Sequence, residues 1–126
     1  EVFAVLGEAY LLLGRDADAL AAAERELQVA AELHGAEAEV VARAHAKAGE
    51  ALLGLHQPDE AEARFLQAQA LLSRIADADA DATGFVLKGI GQARLVRGDV
   101  AGAAQALRQA SAVWASAGSD FREVAD

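Results

Sequence analysis

The chain has 126 residues and a formal net charge of −9, and 54% of its residues are hydrophobic although only 5% are aromatic. This acidic balance argues against direct binding to nucleic acid or to an anionic membrane surface, because both partners require clustered positive charge. The absence of cysteine removes disulfides, thiolate zinc sites and thiol nucleophiles together. With one proline and no alternating runs of β-branched residues, the sequence predicts an all-α protein, which we expect to be cytoplasmic.

The first two predicted helices are separated by a glycine. Residues 1–13 carry apolar side chains at helical spacing, and Gly14 interrupts the pattern. A second helix is predicted from about Asp16 to Leu33 and ends before Gly35, since glycine favours a helix C-terminus. Its inner face is predicted to contain Ala19, Ala23, Leu27 and Ala30.

The middle of the chain repeats this arrangement with a proline at the turn. A helix is predicted from about Ala36 to Leu55, followed by a turn at His56 and a new helix from about Pro58 to Ile75. Proline in the first helical turn, followed by two acidic residues, is typical of a helix start. The inner face of this helix is predicted to contain Ala61, Phe65, Ala68 and Leu72.

The last part of the chain is predicted to contain two more helices. One spans about Ala80 to Arg97, and the other spans about Val100 to Ala117 with Asp99 as its N-cap and Gly118 at its end. Asp77, Asp79 and Asp81 in the preceding segment resemble the start of an EF-hand loop. Because that loop then requires a glycine and a later glutamate, which this sequence lacks there, we expect a solvated acidic linker instead.

The six predicted helices belong to an internal repeat with an offset of 42 residues. Gly7 is followed at this offset by Gly49 and Gly91, and the same offset relates Ala19, Ala61 and Ala103, and Ala23, Phe65 and Leu107. The predicted units are residues 1–35, 36–77 and 78–118, with the start of a fourth at 119–126, all in one repeat domain. Because the pattern is already under way at residue 1, we expect a fragment of a larger protein.

At these positions the chain resembles a tetratricopeptide repeat array. The family pattern of leucine, glycine and tyrosine, a turn glycine and then small residues is matched by Leu6, Gly7, Tyr10, Gly14 and Ala19, and in part by the later units. The departures are His56 at the turn glycine, Glu26 at a small position and Arg94 at the tyrosine position. The resemblance implies a superhelical stack of three antiparallel helix hairpins, truncated at both ends. The lengthened repeat looks like those of kinesin light chains and of actinobacterial multidomain transcriptional regulators.

The resemblance also implies a concave groove along the first helix of each hairpin. The residues that it assigns to a partner-binding groove are Glu8, Leu11, Lys47, Glu50, Leu53, Lys88, Gln92 and Leu95. The expected ligand is an apolar peptide with a positive charge, because Glu8 and Glu50 recur beside leucines. An alternative, equally open, is that the leucines pack on an adjoining part of the parent protein.

We expect a non-enzymatic binding module of a regulatory bacterial protein, with protein or peptide partners and no cofactor or metal. No serine or histidine stands in a context that combines nucleophile, base and oxyanion donors. Two alternatives remain open: a small-peptide sensor domain of a transcriptional regulator and a structural self-association module. Self-association is expected at the C-terminal end through Trp114 and Phe121, since no polar capping segment follows them.

Overall fold

The computed structural model describes the backbone of residues 2–125 and the side chains of residues 2–118. Within this range the chain folds into helices alone, which confirms the all-α prediction. The helices are α1 (Val2–Leu12), α2 (Asp16–His34), α3 (Glu39–Gly54), α4 (Pro58–Leu72), α5 (Ala80–Val96) and α6 (Val100–Ala125). Among the described residues, no helix combines the length and the apolar character that crossing a bilayer would require.

The same turn closes each pair of helices. The turn residues Gly14, His56 and Gly98 all have positive φ angles, of 72°, 61° and 86°. In each turn the N–H of the following residue donates to a carbonyl five residues earlier: Arg15 to Tyr10 at 2.8 Å, Gln57 to Leu52 at 2.9 Å and Asp99 to Arg94 at 2.9 Å. This bond defines a Schellman motif, which satisfies carbonyls left free at the helix end. The backbone therefore repeats with the same 42-residue offset as the sequence.

The equivalent glycines of the repeat mark the contact between the two helices of each pair. A Cβ added to Gly49 would lie 2.9 Å from the Phe65 ring, and one added to Gly91 would lie 2.8 Å from Leu107. Gly7 faces Ala22 at an ordinary 3.7 Å. A step of seven residues forward along α5, from Gly84 to Gly91, matches a step of seven residues back along α6, from Trp114 to Leu107. These helices are therefore antiparallel.

Phe65 lies at the centre of the core. Its side chain is only 1% exposed and its ring lies between Gly49 of α3 and Gly89 of α5. Added Cβ atoms on these glycines would come within 2.9 Å and 2.4 Å of the ring, closer than carbon atoms can pack without displacement. The predicted burial of Phe65 in the middle of the chain is confirmed. This ring joins the second pair of helices to the third.

Contacts between helices follow the order of the chain. Each helix packs against the next one, and α3 also contacts both α1 and α5. The first helices of the three pairs therefore lie side by side, with α3 in the middle. Their common surface is where the candidate site is found.

The predicted end of the last helix is wrong. Gly118 does not stop α6, which runs without a break from Val100 to Ala125, so residues 119–125 continue this helix and do not open a seventh one. An added Cβ on Gly118 would meet nothing within 4 Å, and its φ is not positive. A glycine favours a helix end when it adopts a positive φ, and in a helix interior it merely weakens the helix by about 1 kcal/mol. The side chain of Phe121 lies outside the described residues.

Asp79, before α5, and Asp99, before α6, act as helix caps. Asp79 accepts a hydrogen bond from the N–H of Asp81 at 3.0 Å, and Asp99 accepts one from the N–H of Gly102 at 3.0 Å. The N-cap prediction for Asp99 is thereby confirmed. The hydrogen bond from Asp81 and the neighbouring Arg43 hold the pKa of the Asp79 carboxyl below its usual range. Asp79 is thus part of the helix start and not simply a solvated linker residue.

Candidate binding cleft

A cleft of about 350 Å³ opens between the first helices of the three pairs. Its floor consists largely of small residues of α3 and α5, whose short side chains leave the space open. Larger apolar side chains and charged groups stand around it. The lining residues are Glu8, Leu11, Ala42, Arg43, Ala46, Lys47, Glu50, Leu72, Asp81, Ala82, Phe85 and Val86.

Lys47 occupies the side of the cleft nearest α1 and α2. Its Nζ lies 3.4 Å from each carboxylate oxygen of Glu26 and 3.7 Å from Oε1 of Glu8. Glu26 is buried, and a buried carboxylate is stable only when it is paired. The departure from the small-residue pattern at Glu26 is therefore matched by a lysine on the neighbouring helix. Lys47 is held in place by these two carboxylates.

Glu50 lies one helical turn further along α3 and is half-buried. Burial raises the pKa of its carboxyl group, while the nearby Lys88 lowers it and the carboxylates of Asp16 and Glu8 raise it further. Burial is the largest of these effects. The charged form of Glu50 is therefore poorly solvated, and a cationic group placed beside it would favour that form, as Lys88 already does in part.

Arg43 closes the opposite end of the cleft. Its Nη2 donates to Glu39 at 3.0 Å and to Asp79 at 2.8 Å, and these two carboxylates raise the pKa of its guanidinium. Asp79 caps α5, so the pair fixes the start of α5 against α3. Like Lys47, Arg43 is already neutralised by carboxylates of the protein.

The structure brings together four of the residues predicted for the groove. Glu8, Leu11, Lys47 and Glu50 all line the cleft. The other four lie elsewhere or at its margin: Leu53 packs against the core cluster around Phe65, Leu95 is exposed, and Lys88 and Gln92 are exposed on α5. Leu53 was placed in the groove by equivalence with Leu11, but α3 contacts four other helices where α1 contacts two, and Leu53 packs on the cluster that those helices share.

Phe85 and Arg43 are among the cleft residues that sequence reasoning did not assign to the groove. Phe85 projects from α5 and keeps 37% of its surface exposed. It lies one helical turn before Lys88, which was assigned to the groove, so extending the groove by one turn would have found it. The position of Arg43 depends on its contacts with Asp79 of the next unit, which helical periodicity does not indicate.

A second set of charges, centred on the buried Glu62, links α4 to α5 and to Arg97 at its end. Glu62 is buried and accepts from Nε of Arg94 at 3.1 Å and also from Nη1 of Arg97. Arg97 also pairs with Asp59 at 2.9 Å. Arg94 stands where the first unit has Tyr10, and the structure explains this departure as the partner of a buried acid. This network lies outside the cleft lining and holds the second and third units together.

The three histidines do not come together at a metal site. His34, His45 and His56 lie on α2, on α3 and in the turn before α4, and no group of histidine, aspartate and glutamate in the described part of the chain could hold a metal ion. His45 is half-buried beside Arg64, with 3.3 Å between Nδ1 and Nη1. Burial and this guanidinium lower the pKa of His45.

Trp114, predicted to lie exposed at the C-terminal end, is partly covered by its own helix pair. Its indole ring lies over Gly84, where an added Cβ would come within 2.4 Å, and 38% of its surface remains exposed. The cover comes from α5, and no contact with Phe121 can be described. Trp114 thus has one packed side and one open side.

Comparison of the chain with known proteins adds nothing to this picture. No family model, no curated protein and no solved structure matches it. The cleft, its charges and the internal repeat are therefore the features that bear on function.

Proposed function

We propose that this chain is a tetratricopeptide-like repeat module that binds an extended apolar peptide carrying a lysine or arginine. The peptide occupies the cleft between α1, α3 and α5, and its cationic side chain pairs with Glu50. The role is binding without chemistry, as part of a larger regulatory protein. The observation that carries this proposal is the half-buried Glu50 carboxylate beside an apolar floor.

The size and the lining of the cleft support a peptide side chain as the occupant. Its volume of about 350 Å³ lies at the small end of ligand sites, which span roughly 300–1,000 Å³. The apolar part includes Leu11, Phe85 and the alanines of α3, which favour an aliphatic side chain. A few apolar contacts with one charged group to fix orientation are typical of peptide recognition.

The charges around the cleft favour a cationic ligand over an anionic one. Lys47 and Arg43 already have carboxylate partners within 3.4 Å and 3.0 Å. Glu50 is desolvated, and although the charge of Lys88 favours its ionised form, burial and the carboxylates of Asp16 and Glu8 oppose it and its pKa stays raised. A lysine or arginine of the ligand would stabilise the charged form of Glu50. The ion pair that they form would be largely shielded from water, which strengthens it.

The lining also supports a role in binding and not in catalysis. The residues around the cleft are aliphatic, aromatic, acidic or basic, and the described lining contains no hydroxyl or imidazole group. Acyl or phosphoryl transfer by side chains would need a nucleophile, a base that contacts it and donors for the developing charge. Of the carboxylates in the lining, Glu8 lies within ion-pair distance of Lys47, and Glu50 is the one assigned to the ligand.

The test is a comparison of three peptides that differ at one position. Each has leucines around a central residue, which is lysine, glutamine or glutamate, with polar flanks for solubility. Isothermal titration calorimetry should give the tightest binding for the lysine peptide, and ¹⁵N chemical-shift changes should be confined to α1, α3 and α5. Glu50→Lys should weaken the lysine peptide by about tenfold or more, equivalent to about 1.4 kcal/mol.

Glu32→Lys provides the matched control, because Glu32 is exposed on α2 and does not line the cleft. The same change of charge there should leave the affinity nearly unaltered. Binding of the glutamate peptide as tight as that of the lysine peptide would refute the proposal. So would shift changes that map to α2, α4 and α6.

A further inference from the structure

A second cleft, of about 420 Å³, opens between α2 and α4. Both helices pack on α3, and in the described part of the chain the backbones of α2 and α4 do not contact each other. We call this space the outer cleft, and it shares no lining residue with the cleft between α1, α3 and α5. Leu52 is buried at its base and Leu20 packs on the core cluster beside it, while Glu24, Glu60 and Arg64 supply the charges of its lining.

Two of the three charged groups of the outer cleft are paired with each other. Nη2 of Arg64 lies 2.7 Å from Oε1 of Glu24, and Nη1 of Arg64 lies 3.3 Å from Nδ1 of His45. Glu60, in contrast, is exposed at the rim and has no cation within ion-pair distance among the described residues. The outer cleft thus combines an apolar base with one carboxylate that is open to a ligand.

The repeat shows what lies at the equivalent place between α4 and α6. The side chain of Arg94 is only 26% exposed there. Its Nε donates to Glu62 at 3.1 Å, and its Nη1 donates to the carbonyl of Gly102 at 3.4 Å. At the offset of 42 residues, Arg94, Glu62 and Gly102 are the equivalents of Leu52, Leu20 and Glu60. A guanidinium group of the chain therefore lies at the second junction where the first junction has its outer cleft.

The first junction differs from the second in where its acid stands. Leucine replaces both Arg94 and Glu62, so the two residues that form the ion pair at the second junction are apolar at the first. An acid stands instead at Glu60, the position of the residue whose carbonyl accepts from Arg94. A guanidinium placed in the outer cleft as Arg94 is placed in its own junction would therefore come within reach of the Glu60 carboxylate.

We propose that the outer cleft binds an arginine side chain of a partner protein, with its methylene groups on Leu20 and Leu52 and its guanidinium on Glu60. Arginine suits this lining because its stem packs on apolar surface while its planar head group donates two parallel hydrogen bonds to a carboxylate. An anionic side chain is not favoured, because the one cation of the lining, Arg64, is already engaged by Glu24. This site is separate from the cleft between α1, α3 and α5 and does not rest on the function proposed for it.

A chemical-shift titration of the ¹⁵N-labelled protein tests the proposal. The probe is N-acetylarginine N-methylamide, which presents the side chain as it occurs within a polypeptide. Saturable shift changes should appear in α2 and α4 around the outer cleft and not in α1 or α5. The citrulline analogue has nearly the same shape without the charge and should bind about two- to fivefold more weakly, the range for an exposed ion pair. Equal affinity for the two analogues would overturn the proposal, and so would tighter binding of free arginine, which would indicate an amino-acid ligand.

Two variants locate the binding. Glu60→Gln should weaken the arginine probe by about two- to fivefold, whereas Glu32→Gln, at an exposed position of α2 outside both clefts, should leave its affinity unchanged. Ala63→Phe should block the outer cleft, because Ala63 lines it from an exposed position of α4. Far-ultraviolet circular dichroism identifies a variant that fails to fold, and Glu60→Gln decides if Ala63→Phe does not fold.

Shift changes confined to α1, α3 and α5 and abolished by Glu50→Lys would show that arginine enters the other cleft. That result would overturn the present proposal and leave the proposed function standing. Conversely, binding at the outer cleft that Glu50→Lys does not alter would hold even if the leucine and lysine peptides failed to bind between α1, α3 and α5. The absence of any saturable shift change in α2 and α4 would overturn the proposal.

Discussion

The close contact between Phe65 and Gly89 predicts that two destabilising substitutions will partly correct each other. An added Cβ on Gly89 would lie 2.4 Å from the Phe65 ring, and Gly49 confines the same ring from the other side. The ring cannot move away, so Gly89→Ala overpacks the core at a cost of about 1–3 kcal/mol. This cost is reduced by about 1 kcal/mol, because alanine favours the helix over glycine.

Phe65→Ala removes the obstacle and leaves a cavity. Since Phe65 is 1% exposed, its truncation should cost about 3–5 kcal/mol. In that background the new methyl group of Gly89→Ala enters the vacated space, so the second substitution should stabilise the protein by about 1 kcal/mol through helix propensity alone. The sign of the effect of Gly89→Ala therefore reverses between the two backgrounds.

The free energy of unfolding can be measured by urea unfolding, followed by circular dichroism, for the natural chain, the two single variants and the double variant. The coupling energy between Gly89→Ala and Phe65→Ala in this double-mutant cycle should be about 1–3 kcal/mol. Gly118→Ala is the matched control, because an added Cβ there meets nothing within 4 Å, and it should stabilise both backgrounds equally. Phe65→Leu replaces Phe65→Ala if the latter does not fold. An equal cost of Gly89→Ala in both backgrounds would refute the wedged position of the ring.

Two further predictions concern the turn residue His56 and the carboxylate of Glu50. His56 has a φ of 61°, which is unfavourable for a residue with a Cβ, so His56→Gly should raise the free energy of unfolding by about 1 kcal/mol. Gly98→Ala should lower it for the same reason. A lower free energy of unfolding for His56→Gly would contradict this. The pKa of Glu50 is raised by burial, so the folded state binds more protons than the unfolded state between the ordinary and the raised pKa, and stability is lost as the pH rises through that window. Glu50→Gln should therefore stabilise the protein at about pH 7 but not at about pH 4, as measured by urea unfolding, and a gain of equal size at both pH values would show that the carboxyl is not desolvated.

The elements of the fold were predictable where the signal is local. The turns at residues 14, 56 and 98 and the cap at Asp99 follow from glycine, proline and aspartate acting on their immediate neighbours. The contacts of Gly49 and Gly91 followed from the repeat, since equivalent positions meet equivalent partners. The end of α6 was not predictable, because a glycine such as Gly118 is compatible with both a helix end and an exposed helix interior.

The candidate cleft was only partly predictable, because it depends on pairs of residues from different units. Periodicity indicates that Glu8, Lys47 and Glu50 share one surface, but it does not show that Lys47 is engaged by the buried Glu26. Likewise, Arg43 and Arg94 reach carboxylates of other helices, and nothing in their own helices identifies those partners. Leu11, Leu53 and Leu95 hold equivalent positions, yet their surroundings differ because each has a different neighbouring helix.

The two junctions between units restrict the order in which the units can be joined. Excising residues 36–77 would join Gly35 to Ala78 and place α2 beside α5. The side chains would not match, since Ala23 would stand where Phe65 fills the space beside Gly89, and Glu26 would lose Lys47 and face that glycine. A hole of nearly the size of an aromatic ring and a buried acid without its cation would result. The side chains at each junction are thus complementary only to those of the neighbouring unit. A chain with shuffled or deleted units would therefore be less stable than the natural order.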